Sequence, residues 1–281
     1  MTEKRKFYGM RNDYMFHAVL QKNEEVLRNL LATLLEMDEA DIVSCDIENP
    51  IELGKEIEGK ECILDVKLTL NNAKIINIEL QVYKQTYWVE RSLLYWARAF
   101  DSLKSGEDYS KLLPMYHIGI LDFTLFEEHP KFMGKYQLMD VEDQFLYSDK
   151  LCIKVLDLTQ LDAAKKQANI NKKLVKWASI FKAETLEELE QLANGEEVFE
   201  KMVVTMKKLS EDEKIRMQCE AREDYERCLL SEFNAGKREG RAEGERKRDQ
   251  DLISSWIKKG KTIAEIAEYL EKSEDYVKSL M

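Results

Sequence analysis

Hydrophobic and polar positions change period several times along the chain, and each change marks an element. From Met15 to Leu35 apolar residues recur at three- and four-residue spacing (Phe16, Val19, Leu20, Leu27, Leu30, Leu31, Leu34, Leu35), which predicts a helix. A strand pair is expected over Ile42–Ile47 and Ile51–Leu53, divided by Pro50. The stretch CILDVKLTLNNAKIINIELQV, Cys62–Val82, then alternates with period two on both sides of Asn71-Asn72-Ala73 and predicts a β-hairpin. A helix follows over Tyr87–Lys104, stopped by Ser105-Gly106, and Met115–Phe123, Phe132–Met139 and Leu151–Leu158 read as strands.

After Gln160 only helical patterns remain. Leu161–Phe181 leads into the acidic segment Glu184–Glu200, and then to Ser210 and Glu213, spaced as a capping box before a long charged helix. In GKREGRAEGERKR, Gly236, Gly240 and Gly244 recur every fourth residue, a mixed-charge stretch that is helical or linker-like. The end gives three short helical pieces. Gly260 closes the first, Thr262 and Glu265 cap the second, and Ser273 caps the third. The expected plan is an α/β core over residues 1–182, an acidic helical extension over 183–235, a charged glycine-containing linker or helix over 236–250, and a small helical element over 251–281.

The hairpin fixes a register. A three-residue loop pairs Leu70 with Lys74 and carries Asp65 opposite Glu79. One face then holds Ile63, Asp65, Lys67 and Thr69 with Gln81, Glu79, Asn77 and Ile75. The other holds Leu64, Val66, Leu68 and Leu70 with Ile76, Ile78, Leu80 and Val82, a core face. A two-residue loop would spoil this separation. Two carboxylates a few ångströms apart repel unless a proton or cation lies between them, and oxygen-only ligands favour Mg²⁺ or Mn²⁺. The competing reading is a solvated sheet face with opposed charges at Asp65, Lys67 and Glu79.

Composition narrows the classes. Of the 281 residues 44% are hydrophobic and 35% charged, and the net charge of −11 excludes a chain coated in basic residues, though not a local basic cleft. Five cysteines without a C-x-x-C pair, and three scattered histidines, give no zinc spacing and read as reduced thiols. No segment approaches membrane-spanning length, so a cytoplasmic protein is expected. No glycine-rich phosphate loop and no Ser-His-Asp order appear. His117, in an apolar strand, reads as a satisfied core residue. Tyr83, Tyr87, Trp88, Tyr95 and Trp96 read as packing rather than base-stacking platforms.

Aspartate on one strand and Glu-x-Gln on the next resembles the PD-(D/E)XK nuclease fold in its Glu-x-Gln variant. The pieces NDYMFHAVL, LLATLLEM, ILDVKLTLNNAKIINIELQ, RSLLYWARAFDSLKSGEDYSKLLPMYHIGILDFTLF, the Gly-Glu tail and GKTIAEIAEYL resemble, in order, the Rpn-type recombination-promoting nucleases, or PD-(D/E)XK nuclease family transposases. The resemblance implies a restriction-endonuclease-like core, a central mixed sheet flanked by helices, that hydrolyses DNA phosphodiesters with Mg²⁺ or Mn²⁺. Asp65, Glu79 and the carbonyl of Leu80 would hold the metal, and Gln81 stands where most of the superfamily has lysine. Lys67 is the candidate to supply the missing charge, or else an ion pair with Asp65. Asp13 is either a further acid of the site or an N-cap. Arg91 and Arg98, on one face of the following helix, are candidate DNA-phosphate contacts or surface ion pairs. The expected proline is absent, since Pro50 lies too far before Asp65.

The rival to a DNA endonuclease of the recombination or transposition type is a non-catalytic DNA-binding or assembly module on the same fold. Residues 262–281 resemble half of a helix-turn-helix, but Glu274 and Asp275 at the start of the last helix disfavour a DNA-reading role. That tail is expected to pack or to form a homo-oligomer, with any DNA contact coming from the Gly-Arg-Glu stretch.

Overall fold

A computed structural model describes residues 6–51, 53, 65–101, 103 and 105–281. Two compact units divide the chain, Met1–Arg222 and Glu223–Met281.

Among the described residues six strands form the sheet of the first unit: β1 (Cys45–Ile47), β2 (Val66–Leu70), β3 (Lys74–Gln81), β4 (Met115–Leu121), β5 (Met133–Met139) and β6 (Leu146–Asp157). Their order is β1-β2-β3-β4-β6-β5, with β3/β4 and β4/β6 parallel and the remaining neighbours antiparallel. This is the mixed sheet flanked by helices expected of a PD-(D/E)XK-like α/β fold. The β2–β3 register is the expected one, from Leu70 with Lys74 to Val66 with Ile78. Asn71 and Asn72 make the turn with φ of 52° and 51°, a conformation asparagine tolerates better than most side-chain-bearing residues. Cys62, Ile63, Leu64, Glu52 and Lys104, used in the sequence reading, lie outside the described residues.

The two faces bury different chemistry. Val66, Leu68, Leu70, Ile76, Ile78, Ile118, Ile120 and Leu156 point into the main core, where they meet α1 (Asp13–Lys22), α2 (Glu24–Leu35), α5 (Lys172–Lys182) and α7 (Glu197–Glu211). The opposite face carries Asn77, Glu79, His117 and Gly119, and α3 (Trp88–Phe100) crosses it between the parallel strands β3 and β4. Trp88 there joins Leu121, Phe123, Ile153 and Val155 in a second small cluster.

Several boundaries differ from the sequence reading. The helix expected over Met15–Leu35 is two helices, because Asn23 turns extended (φ −135°), ends α1 and caps α2 by accepting from Val26 N–H. Ile51 and Leu53 are not in a strand, and Ile51 is held instead by both ends of the Gln21 amide. The helix expected over Leu161–Phe181 splits into α4 (Leu161–Ala164) and α5, whose cap is Asn171. The acidic segment holds α6 (Leu186–Ala193), capped by Thr185. Ser210 lies inside α7, and Asp212 caps the next helix through Lys214 and Ile215 N–H.

That helix, α8 (Glu213–Lys258), is continuous across Gly236, Gly240 and Gly244. In the second unit Ile253 of α8 packs with Ile266 and Ala267 of α9 (Ile263–Leu270), Val277 of α10 (Glu274–Ser279) and Leu280 just after it. The Thr262–Glu265 capping box and the Ser273 cap are both present, and Gly260 (φ 79°) follows α8. Among the described residues no helix is long and apolar enough to cross a membrane.

Candidate active site

Asp65 stands one residue before β2, where the side chain of Asn49 fixes the backbone: Nδ2 donates to the Asp65 carbonyl at 2.7 Å and Oδ1 accepts from Lys67 N–H at 2.8 Å. Continued by one step, the strand register brings Asp65 beside Glu79. Both carboxylates are buried, so the face that carries them is no solvated surface. Burial holds the Asp65 carboxyl above its ordinary value, and the Asn77 hydrogen bond and the nearby His117 and Arg91 only partly offset it.

The parallel register of β3 with β4 sets Asn77 beside His117 and Glu79 beside Gly119. Asn77 Nδ2 lies 3.3 Å from Asp65 Oδ2 and 3.3 Å from His117 Nδ1. With the amide donating to both, the imidazole proton sits on Nε2, which faces Glu79 Oε2 at 3.4 Å. Burial lowers the His117 pKa to about 4, so at neutral pH the ring is uncharged. The ring is enclosed by Trp88 and by the edge of Tyr95, both from α3. Hence His117 is not a fully satisfied core residue: its Nδ1 meets Asn77, while its Nε2 lies near Glu79 without a hydrogen bond.

Arg91 supplies the positive charge. From the end of the first turn of α3 its guanidinium pairs with Glu79 Oε1 and donates to Gln81 Oε1 at 2.9 Å. Lys67 is directed elsewhere, to Glu48 Oε2 at 2.8 Å. Arg98 is exposed, so the two arginines seven residues apart occupy different surroundings. Asp13 is the first residue of α1 and does not cap it, because Asn12 does so by accepting from Met15 N–H. Arg222 clamps the Asp13 carboxylate, with Nε 3.0 Å from each oxygen. Asp13 is still near enough for its charge to push the Asp65 pKa up. Leu80 turns its side chain towards the main core, as strand alternation requires.

The donor set suits a hard divalent cation that keeps several waters. It offers two buried carboxylates, and Glu79 Oε2 accepts no well-aligned hydrogen bond from any described residue. Among the described residues no three Asp, Glu, His or Cys side chains converge as a ready-made cage. Asn77, His117 and the site role of Arg91 escaped the sequence reading. The signal for Asn77 was its place on the polar face between the two acids. For His117 and Arg91 the missing knowledge was the strand crossover that lays β4 and α3 against that face.

Residues 10–233 match the family model described as PD-(D/E)XK nuclease family transposase, a span that holds all of these side chains. No curated protein and no solved structure matches the chain.

Proposed function

The chain belongs to the PD-(D/E)XK nuclease family transposases, and from that premise we propose that it is a metal-dependent DNA endonuclease of the recombination-promoting type, hydrolysing phosphodiesters at Asp65, Glu79 and Gln81. Membership carries a nuclease-type function and a DNA substrate at the level of the family. One observation carries the finer reading: the buried acids Asp65 and Glu79 share a face with Gln81, and Arg91 binds both Glu79 and Gln81.

Asp65 and Glu79, with the Leu80 carbonyl, would hold Mg²⁺ or Mn²⁺. A divalent cation there lowers the pKa of a bound water and neutralises charge growing on a phosphoryl oxygen. Gln81 has only hydrogen bonds to offer, so it orients. Arg91 restores the cationic character that lysine gives most of the superfamily, and its planar fork suits bidentate contact with a carboxylate or a phosphate. Asn77 steadies the Asp65 carboxylate with a hydrogen bond, His117 packs beside Glu79, and the buried Trp88 indole lies against the same face.

Plasmid nicking tests this. Wild type should nick supercoiled DNA with Mg²⁺ or Mn²⁺ and fail in EDTA, and Asp65→Asn should lose the activity. Arg91→Ala should cost about 10²-fold, the scale of removing one electrostatic contact to the reacting group. Lys67→Ala should cost little, since that ammonium serves Glu48. Wild type without metal-dependent nicking supports the rival, a DNA-binding or assembly module.

A further inference from the structure

The first turns of α8 are laced to the chain that leads into α1. Arg216 Nη1 donates to the Lys6 carbonyl at 3.5 Å, the Cys219 carbonyl accepts from Asn12 Nδ2 at 2.9 Å, and Arg222 holds Asp13. The three residues of α8 recur at three-residue spacing, so one side of the helix root makes all three contacts. Ile215 and Cys219 are buried in the main core, which fixes this root within the first unit, and Arg222 is the last residue of that unit.

The third contact needs a reason. The Asp13 and Arg222 side chains are 15% and 13% exposed, and both carboxylate oxygens lie 3.0 Å from the guanidinium Nε. An ion pair taken this far from water gains little over apolar side chains of similar volume, because desolvation offsets the attraction. Nor does Asp13 start the helix, since Asn12 caps α1. What stands beside the pair supplies the reason.

The N-terminus of α1 is fastened to the end of the sheet that carries the acids. Arg11 pairs with Asp122, and the Asp122 N–H donates to the Gln81 carbonyl at 2.9 Å. Gln81 ends β3, and the antiparallel strand β2 begins at that same end, one residue after Asp65. Asp13, two residues on from Arg11, is close enough that its charge acts on Asp65. With Arg222 in place the pair brings the site no net charge. Without it a third negative charge would stand near Asp65 and Glu79, opposing their joint ionisation and drawing a divalent ion more strongly. The guanidinium fork also occupies both oxygens of Asp13, which a ligand would need.

We propose that Arg222 is a positioning residue of the candidate site: by neutralising Asp13 and occupying its carboxylate, it keeps a third acid from joining Asp65 and Glu79, and so sets how tightly the site holds a divalent cation. The inference rests on the proposed function in taking Asp65 and Glu79 as the metal-binding acids.

Calorimetric titration of the full chain with Mn²⁺, at a temperature where circular dichroism shows each variant folded, tests it. Arg222→Gln should lower the Kd for Mn²⁺ about fivefold, the lower end of the coupling found between linked sites. Arg222→Lys, which keeps the charge, should bind close to the wild type. Asp13→Asn leaves Arg222 uncompensated and should weaken binding. Arg222→Gln combined with Asp13→Asn should return to the wild-type Kd, since both charges are then gone. If Arg222 only braced α8 against α1, Arg222→Gln would melt lower with an unchanged Kd, and that result overturns the proposal. A double variant that binds as weakly as Asp13→Asn also overturns it, because Asp13 is then a ligand in its own right. Should Arg222→Gln fail to fold, the comparison of Asp13→Asn with the double variant decides by the same outcomes. Wild type that binds no Mn²⁺ sinks this proposal together with the metal site, whereas wild type that binds while Arg222→Gln gains nothing sinks this proposal alone.

Discussion

Gly119 shows how tightly one residue constrains the candidate site. It lies on β4 beside Glu79, and the Trp88 indole occupies the space above it. A methyl at Gly119 would fall 2.9 Å from Trp88 Cη2 and closer still to Cζ2. The indole is 1% exposed and belongs to the small second core, so it has nowhere to withdraw. Gly119→Ala should therefore force α3 outward and loosen the Arg91 contact with Glu79 and Gln81. Overpacking of this kind costs roughly 1–3 kcal/mol. The expected result is a lower melting temperature together with a shift of tryptophan emission. Unchanged melting and emission would show that the ring does not press on Gly119. Trp88 was legible as a packing residue because aromatic side chains beside an apolar strand usually pack. Its contact with glycine was not, since nothing local in β4 announces which helix will cover it.

At the scale of elements, what the sequence reveals is what depends on near neighbours. The β2–β3 register follows from period-two alternation and a short turn, and the face separation leaves one solution. The α9 and α10 caps are equally local. Helix breaks at Asn23 and before Asn171 were hidden, because the apolar spacing runs through them unchanged while the side-chain amide redirects the backbone. The start of α8 misled for a related reason: Ser210 fits the capping pattern, but α7 continues through it and Asp212 caps in its place. The α9 cap yields a pH prediction. Thr262 N–H donates to Glu265 Oε2 at 2.8 Å, with Lys261 Nζ at 3.1 Å from the other oxygen and the Thr262 hydroxyl also donating. These contacts lower the Glu265 pKa from 4.5 to about 2. A carboxyl with a depressed folded pKa adds stability that is complete above the unfolded value and fades as pH falls through the folded one. The α9 cap should thus hold at pH 3.5, where an ordinary glutamate is mostly protonated, and weaken towards pH 2. The Thr262 amide proton shift should report this titration, and Glu265→Gln should abolish it. A midpoint near 4.5 in the wild type would count against the cap geometry.

For the molecule as a whole, the parallel crossover matters most, because it closes α3 over the acids and installs a cation from the chain itself. Pairs of strands separated by some forty residues carry no turn signature, so this arrangement, and with it the placing of His117 beside Asn77 and Glu79, was beyond a local reading. On the proposed function, Arg91 and a divalent ion would compete for Glu79. Asp65 is buried with its pKa raised, so its ionisation opposes folding, and the opposition grows as pH rises through the folded pKa. A cation that binds only the folded chain stabilises it by RT ln(1 + [L]/Kd), about 1.4 kcal/mol at ten times Kd. Mg²⁺ or Mn²⁺ should raise the melting temperature of the wild type. Asp65→Asn should melt slightly higher without metal and lose the metal-induced shift. Arg91→Ala divides binding from chemistry: with Glu79 no longer neutralised, its metal-induced shift should equal or exceed that of the wild type, while nicking falls. An Arg91→Ala protein that loses the metal response together with activity would mean that Arg91 holds the carboxylates in place for the ion. Equal shifts in wild type and Asp65→Asn would remove the metal from this site altogether.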